Sequence, residues 1–204
     1  MCRLFPALLD YKALRKEHEK KLKTPYEAYV GQVSTEDMAA SLKASSFLHI
    51  LASIKRPSRI LDLGSGFSSF VFRLYSKERN HEVEVFSVDD NSDWLGKTRS
   101  FLISQGMEGM NLLHWQEFRQ SNQAGFDLIF HDLGSMELRA ESLPEVLALC
   151  RSDGMIVLDD MHSEYYRPLA LKTVRDAGFS LCSVRKYTLD KFGRFSEIAT
   201  RLKI

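Results

Sequence analysis

The sequence predicts an α/β fold: a mainly parallel sheet with helices on both faces. Three observations carry this. From Arg59 onward, short apolar runs alternate with segments of helical length. The first run ends in a glycine-containing turn at residues 64–66. The last two runs are separated only by the turn-like Asp190-Lys191-Phe192-Gly193, so they are expected to pair antiparallel.

Taken in order, residues 10–23 mix both charge signs among good helix formers and read as an exposed helix with a basic excess, broken at Thr24-Pro25. Residues 35–54 form a second helix, with Thr35 as a cap and a stripe of Met38, Leu42, Phe47, Leu51 and Ile54. The segment Lys55-Arg56-Pro57-Ser58 ends it. Residues 1–56 are therefore an N-terminal helical extension expected to cover the active site, and 57–204 the main domain.

Strands follow at Arg59–Leu63, Glu82–Val88, Asn111–Trp115, Phe126–His131 and Met155–Leu158. The closing pair is Ser180–Thr188 and Arg194–Leu202. Helices are expected near 68–76, 92–105, 138–150 and 165–177.

Composition narrows the class. With 204 residues, 44% hydrophobic and 27% charged, the chain can bury a sizeable core. A net charge of +1 gives no basic field for nucleic acid or anionic membrane, and favours a small-molecule substrate. No apolar run approaches the roughly 20 residues of a membrane span, and the stretch Met1 to Leu9 is too short for a signal h-region. Three cysteines, Cys2, Cys150 and Cys182, lack CxxC spacing, which argues against a disulfide framework and a structural zinc site. Buried thiols and a cytoplasmic setting are the expectation.

The chemistry concentrates at strand ends. In Ile60-Leu61-Asp62-Leu63-Gly64-Ser65-Gly66-Phe67-Ser68-Ser69 a buried strand delivers the chain to a tight turn. Gly64 and Gly66 let backbone approach a ligand, and the helix that follows starts with free N–H groups that favour an anion. A second strand ends in Asp89-Asp90, 23 residues after Gly66. A carboxylate there can grip both hydroxyls of a ribose. Asp89, directly after the strand, is the better candidate; Asp90 is an alternative, or else it begins the next helix with Asn91.

The segment 60–69 resembles the first motif of class I S-adenosylmethionine (SAM) methyltransferases. Phe126 to Asp132 resembles their fourth strand, and Leu143 to Asp160 their following helix, glycine turn and fifth strand. The resemblance covers about 57–204, closing hairpin included. It implies a Rossmann-like sheet of order 3-2-1-4-5-7-6 with strand 7 antiparallel. It also implies a cofactor site built from Asp62, Gly64, Ser65, Gly66, Asp89, Asp90, Gln116 and Asp132, in which Asp62 accepts from the methionine ammonium. Gln116 stands where the family often has an acid near the adenine, and Trp115 either stacks on adenine or packs the sheet edge.

On the substrate side, Asp132, Asp159 and Asp160 end adjacent strands about 4.8 Å apart. Close like charges need neutralising, and carboxylate oxygens suit a hard cation such as magnesium. Asp132, Asp159 and Asp160 are therefore candidate metal ligands. Asp132 resembles the strand 4 ligand of metal-dependent O-methyltransferases, and Asp159-Asp160 the paired acids of the novobiocin and macrocin type. The catechol type has Asp-Asn here, with Met161 in place of the Asn. Without metal, Asp159 could cap the loop and Arg167 could pair with one carboxylate. Asp132 and His162 are the candidate catalytic bases. His131 is expected to pack internally, and Tyr165 and Tyr166 to wall a pocket or lie on the surface.

The expected activity is methyl transfer from SAM to a small-molecule hydroxyl, with no nucleic-acid or membrane partner; a homodimer is compatible with it. Two alternatives stand beside it: an NAD-binding oxidoreductase, opposed by the 58-residue lead and the hairpin, and a non-catalytic SAM-fold scaffold, opposed by the intact Asp62, Gly64, Gly66 and Asp89.

Overall fold

The computed structural model describes residues 10–201, so the apolar start at 1–9, with Cys2, lies outside the described residues. Fifteen elements follow one another among them. They are α1 (Tyr11–Gln32), α2 (Leu42–Lys55), β1 (Arg59–Leu63), α3 (Phe67–Glu78), β2 (Glu84–Asp89), α4 (Ser92–Ser104), β3 (Leu112–His114) and α5 (Trp115–Gln120). Then come β4 (Phe126–His131), α6 (Met136–Leu149), β5 (Cys150–Leu158), α7 (Tyr166–Asp176), β6 (Ser180–Ser183), α8 (Arg185–Thr188) and β7 (Glu197–Thr200).

The sheet has the order β3-β2-β1-β4-β5-β7-β6, as expected. β1 pairs parallel with β2 and β4, while β7 runs antiparallel between β5 and β6. Side chains alternate across it. Ile60, Val85, Leu128, Phe130 and Val157 face one core, shared with α1 to α4. Leu61, Phe86, Ile129, Ile156 and Leu158 face the other, shared with α5 to α7. The N-terminal helices thus have no core of their own; they complete the first face.

Several boundaries differ from the sequence reading, each for a physical reason. α1 runs through Pro25 rather than ending there. An interior proline costs a helix about 3 kcal/mol. Here buried His18, Leu22, Tyr26 and Tyr29 form one stripe across the proline, and burying a large apolar side chain returns about 1.5–3 kcal/mol each. α2 starts at Leu42, not Thr35, because Ser41 is the cap, its hydroxyl accepting the Ala44 N–H at 3.2 Å. Strand β3 stops at His114, whose Nδ1 accepts the Gln116 N–H at 3.3 Å and opens the unforeseen α5. β6 likewise ends at Ser183, where α8 takes over. Cys150 is a buried free thiol, as expected, whereas Cys182 is disulfide-bonded where a free thiol was expected. Among the described residues no helix is long and apolar enough to cross a membrane.

Candidate functional site

At the carboxyl ends of β1, β2 and β4 the chain direction switches, and a cavity of about 350 Å³ opens there. It is walled by Gly64, Ser65, Gly66, Asp89, Asp90 and Asp132, and covered by Tyr29 and residues 38–40.

The turn at 64–66 is fixed by partners from three elements. Gly64, at φ +92°, donates its N–H to Val88 O at 2.8 Å. Ser65 donates its N–H to Asp89 Oδ2 at 2.7 Å, while its carbonyl accepts from Trp94 Nε1 at 2.6 Å. The Gly66 N–H donates to Ser69 Oγ at 3.2 Å. Gly66 is closely covered: a Cβ there would lie 3.0 Å from the Tyr29 hydroxyl.

Beneath the turn, Asp62 is fully buried. Its Oδ2 accepts from Ser69 Oγ at 2.5 Å and Ser87 Oγ at 2.9 Å. Burial pushes its carboxyl up to about 6, against the pull of those hydroxyls and Arg73. Its Oδ1 has no hydrogen-bond partner among the described residues, an orphan acceptor of the kind a ligand ammonium or water satisfies.

Asp89 takes two backbone N–H groups, from Ser65 and, at 3.0 Å, from Asn91. A carboxylate has about four lone-pair sites, so two remain for a ribose diol. Burial raises its pKa, opposed by the same hydrogen bonds. The Asp90 carboxylate faces Gly134 across the cavity, so close that a Cβ on Gly134 would come within 2.8 Å of it. Asn91, not Asp90, caps α4, its side chain accepting the Trp94 N–H at 3.0 Å.

Two sequence candidates stand elsewhere. Gln116 is an exposed residue in the first turn of α5, away from the cavity wall. Trp115 is buried on the second core, stacked on Phe118 with ring centroids 6.0 Å apart.

The acids of β4 and β5 converge, but around an arginine. Asp132, anchored by its N–H to Leu63 O at 2.7 Å, pairs through Oδ1 with Arg139 Nη2 at 2.6 Å. Asp160 Oδ2 accepts from Arg139 Nη1 at 2.8 Å. Asp159 turns to Ser196, whose hydroxyl donates to its Oδ1 at 2.7 Å. Arg167, the alternative partner for one of these acids in the metal-free reading, pairs with Glu197 instead, at 3.0 Å.

Burial raises the Asp132 pKa well above the usual carboxylate value; Arg139 opposes this, and Asp159 and Asp160 add to it. His162 Nδ1 lies 3.5 Å from Asp160 Oδ1, and His162 lines a neighbouring groove of about 660 Å³. His131 is fully buried against the Arg139 carbonyl at 3.2 Å, and burial holds it down at about 3, so it stays neutral. Tyr166 is buried near these acids and Tyr165 is exposed.

Sequence reasoning missed Arg139, Trp94 and Gly134. Arg139 had one available signal: it lies four residues after the capping Ser135, in the first turn of the helix that follows an acid-ended strand.

Comparison with known proteins agrees with this architecture. Residues 54–191 match a family model described as a methyltransferase domain. A methyltransferase of Podospora anserina, solved with SAH (the demethylated form of SAM), is 17% identical with a TM-score of 0.66 over 100% of this chain and 99% of its own. An O-methyltransferase from Streptomyces achromogenes involved in tomaymycin synthesis, in complex with SAM, is 17% identical with a TM-score of 0.57, covering 90% and 88%. An O-methyltransferase from Bacillus cereus in complex with SAH is 15% identical with a TM-score of 0.59, covering 92% and 89%. At such identities the structures share the fold alone. No curated protein matches the chain.

Proposed function

This chain belongs to the methyltransferase-domain family, and from that premise we propose that it transfers the methyl group of SAM to a hydroxyl oxygen of a small molecule. The observation that carries the reading is the single cavity in which the glycine turn, the β2 carboxylates and Asp132 stand together.

The residues fit SAM. The orphan Oδ1 of Asp62 suits the methionine ammonium, directly or through water, and the start of α3 beside Gly66 suits its carboxylate. Asp89, with lone pairs to spare, suits the ribose hydroxyls, and Asp90 flanks the same space. A volume near 350 Å³ lies within the usual range of about 300–1,000 Å³ for ligand sites. When bound, SAM supplies a methyl group already activated by its positive sulfur.

What remains for the protein is to align an acceptor oxygen and take its proton. Asp132 is placed for the second task. Its Oδ1 is held by Arg139, while Oδ2 carries no hydrogen bond among the described residues. Its raised pKa makes it a better base near neutrality than an ordinary carboxylate. His162, with Asp160 behind its Nδ1, stands at the adjoining groove, where it can orient the acceptor or relay the proton to solvent.

The test is a product assay with methyl-labelled SAM and a panel of small phenols, sugars, amines and carboxylic acids. The expected label is an alkali-stable methyl ether formed on hydroxyl compounds. Label found instead on nitrogen, or in alkali-labile esters, rejects the hydroxyl acceptor.

A further inference from the structure

Three carboxylates at the ends of neighbouring strands repel one another unless a cation lies among them. The cation here is the protein's own. The Arg139 guanidinium reaches in from α6, with Nη2 2.6 Å from Asp132 Oδ1 and Nη1 2.8 Å from Asp160 Oδ2. Nη2 also donates to Gly134 O at 3.3 Å and Nε to Leu133 O at 3.4 Å. Arg139 is only 7% exposed, yet it lines the cavity beside Asp132.

This donor set does not fit a divalent metal. Magnesium needs near-octahedral oxygens at about 2.0–2.1 Å. One oxygen of each acid is already engaged: Asp132 Oδ1 and Asp160 Oδ2 face guanidinium nitrogens, and Asp159 Oδ1 is taken by Ser196, so a metal could reach the remaining oxygens only beside the guanidinium. A metal ion there would also meet a buried positive charge at contact distance, which is costly. Among the described residues no group of three or more His, Cys, Asp or Glu is arranged to hold a metal.

We infer that Arg139 is the built-in cation of the acceptor side, standing in the place a divalent ion would need between Asp132 and Asp160, so that methyl transfer runs without metal. The role of the acceptor in this statement rests on the function proposed above.

The local structure is organised for it. Asp160 adopts φ +52°, a left-handed conformation uncommon outside glycine, and its carboxylate meets the guanidinium there. Ser135 caps α6 by accepting the Leu138 N–H at 3.3 Å, which fixes the turn that carries Arg139. Burial pulls the guanidinium pKa down, but Asp132 and Asp160 outweigh it and the net direction is up, so the charge is permanent. An arginine has five N–H donors. Hydrogen bonds to Leu133, Asp160 and Gly134 use three of them, and the ion pair with Asp132 engages Nη2. The fifth, on Nη1, has no partner among the described residues and is available to an acceptor oxygen. A charge-assisted N–H would hold and polarise that oxygen as a fixed donor.

Manganese, which reports divalent sites by its paramagnetic resonance signal, provides the test. Wild-type protein should leave manganese free up to millimolar concentration. Arg139→Ala, which releases both carboxylates, should bind one equivalent, with its folding checked by circular dichroism. A manganese site in the wild type that disappears in Asp160→Asn overturns the assignment. So does a folded Arg139→Ala protein that binds none. If Arg139→Ala does not fold, the wild-type titration decides alone. SAM binding measured on the same samples separates this inference from the functional reading beneath it: lost SAM affinity contradicts the latter, a wild-type manganese site the former.

Discussion

Gly64→Ala is expected to cost the protein roughly 3 kcal/mol or more of stability and to abolish cofactor binding. Gly64 sits at φ +92°, a region L side chains rarely enter. An added Cβ would lie 2.2 Å from the Asp132 carbonyl oxygen and 2.6 Å from its carbonyl carbon. Those are backbone atoms, and they cannot rotate away. The Asp132 N–H is tied to Leu63 O at 2.7 Å and the Gly64 N–H to Val88 O at 2.8 Å, so relief requires β1 and β4 to part at the site itself. Overpacking and strain together put the change in the severe class of point substitutions. For a chain of this size each kcal/mol moves the melting temperature by about 2–4 °C, so a drop near 10 °C is expected in a thermal melt. Gly31→Ala is the control. That position lies inside α1 with nothing within 4 Å of the new methyl, and the substitution should be neutral or slightly stabilising. A Gly64→Ala protein that melts within a degree of wild type would mean that the turn is not the tight crossing described.

Asp132→Asn is expected to lower kcat by about 10²–10⁴-fold, the usual worth of a positioned base, while SAM affinity changes less than about threefold. The amide keeps the shape of the carboxylate but cannot take a proton. Asp132 is anchored by its own N–H and by Arg139 on one oxygen, which leaves the other free toward the cavity. The wild-type pH profile should carry the same signature. Burial, with Asp159 and Asp160, raises the Asp132 pKa. The basic form is lost as pH falls, so the acid limb of kcat should lie above the ordinary carboxylate value of about 3.9. Asp132→Asn should remove that limb from the residual rate. Unchanged turnover would take Asp132 out of the chemistry.

What the sequence made legible follows from which interactions are local. The alternation from Arg59 onward and the antiparallel closing pair were legible because strand and helix periods are written residue by residue, whereas the strand order, which the structure bears out, came from the resemblance to the methyltransferase family. The turn at 64–66 and the acid at 89 were visible for the same reason, and they line one cavity. The end of α1 was misread at Pro25, because the stripe of Leu22, Tyr26 and Tyr29 gains its energy from helices later in the chain, with Tyr26 and Tyr29 against Phe67 and Tyr29 against Phe101. The start of α5 was hidden in a histidine side chain that caps a helix. Arg139 was the largest omission. An arginine in a polar helix turn reads as solvated, and only the folded chain brings it between Asp132 and Asp160, 7 and 21 residues away. The acids alone suggested a metal; the acids with their arginine do not.

The central claim is that the turn at 64–66 and the carboxylate of Asp89 form one cradle for SAM. Calorimetric titration of SAM into wild type and Asp89→Ala measures it most directly. The account predicts one SAM bound per wild-type chain, displaced by SAH and not by NADH, and at least tenfold weaker binding to the variant. A wild type that takes up no SAM, or a variant that binds it equally well, would contradict it.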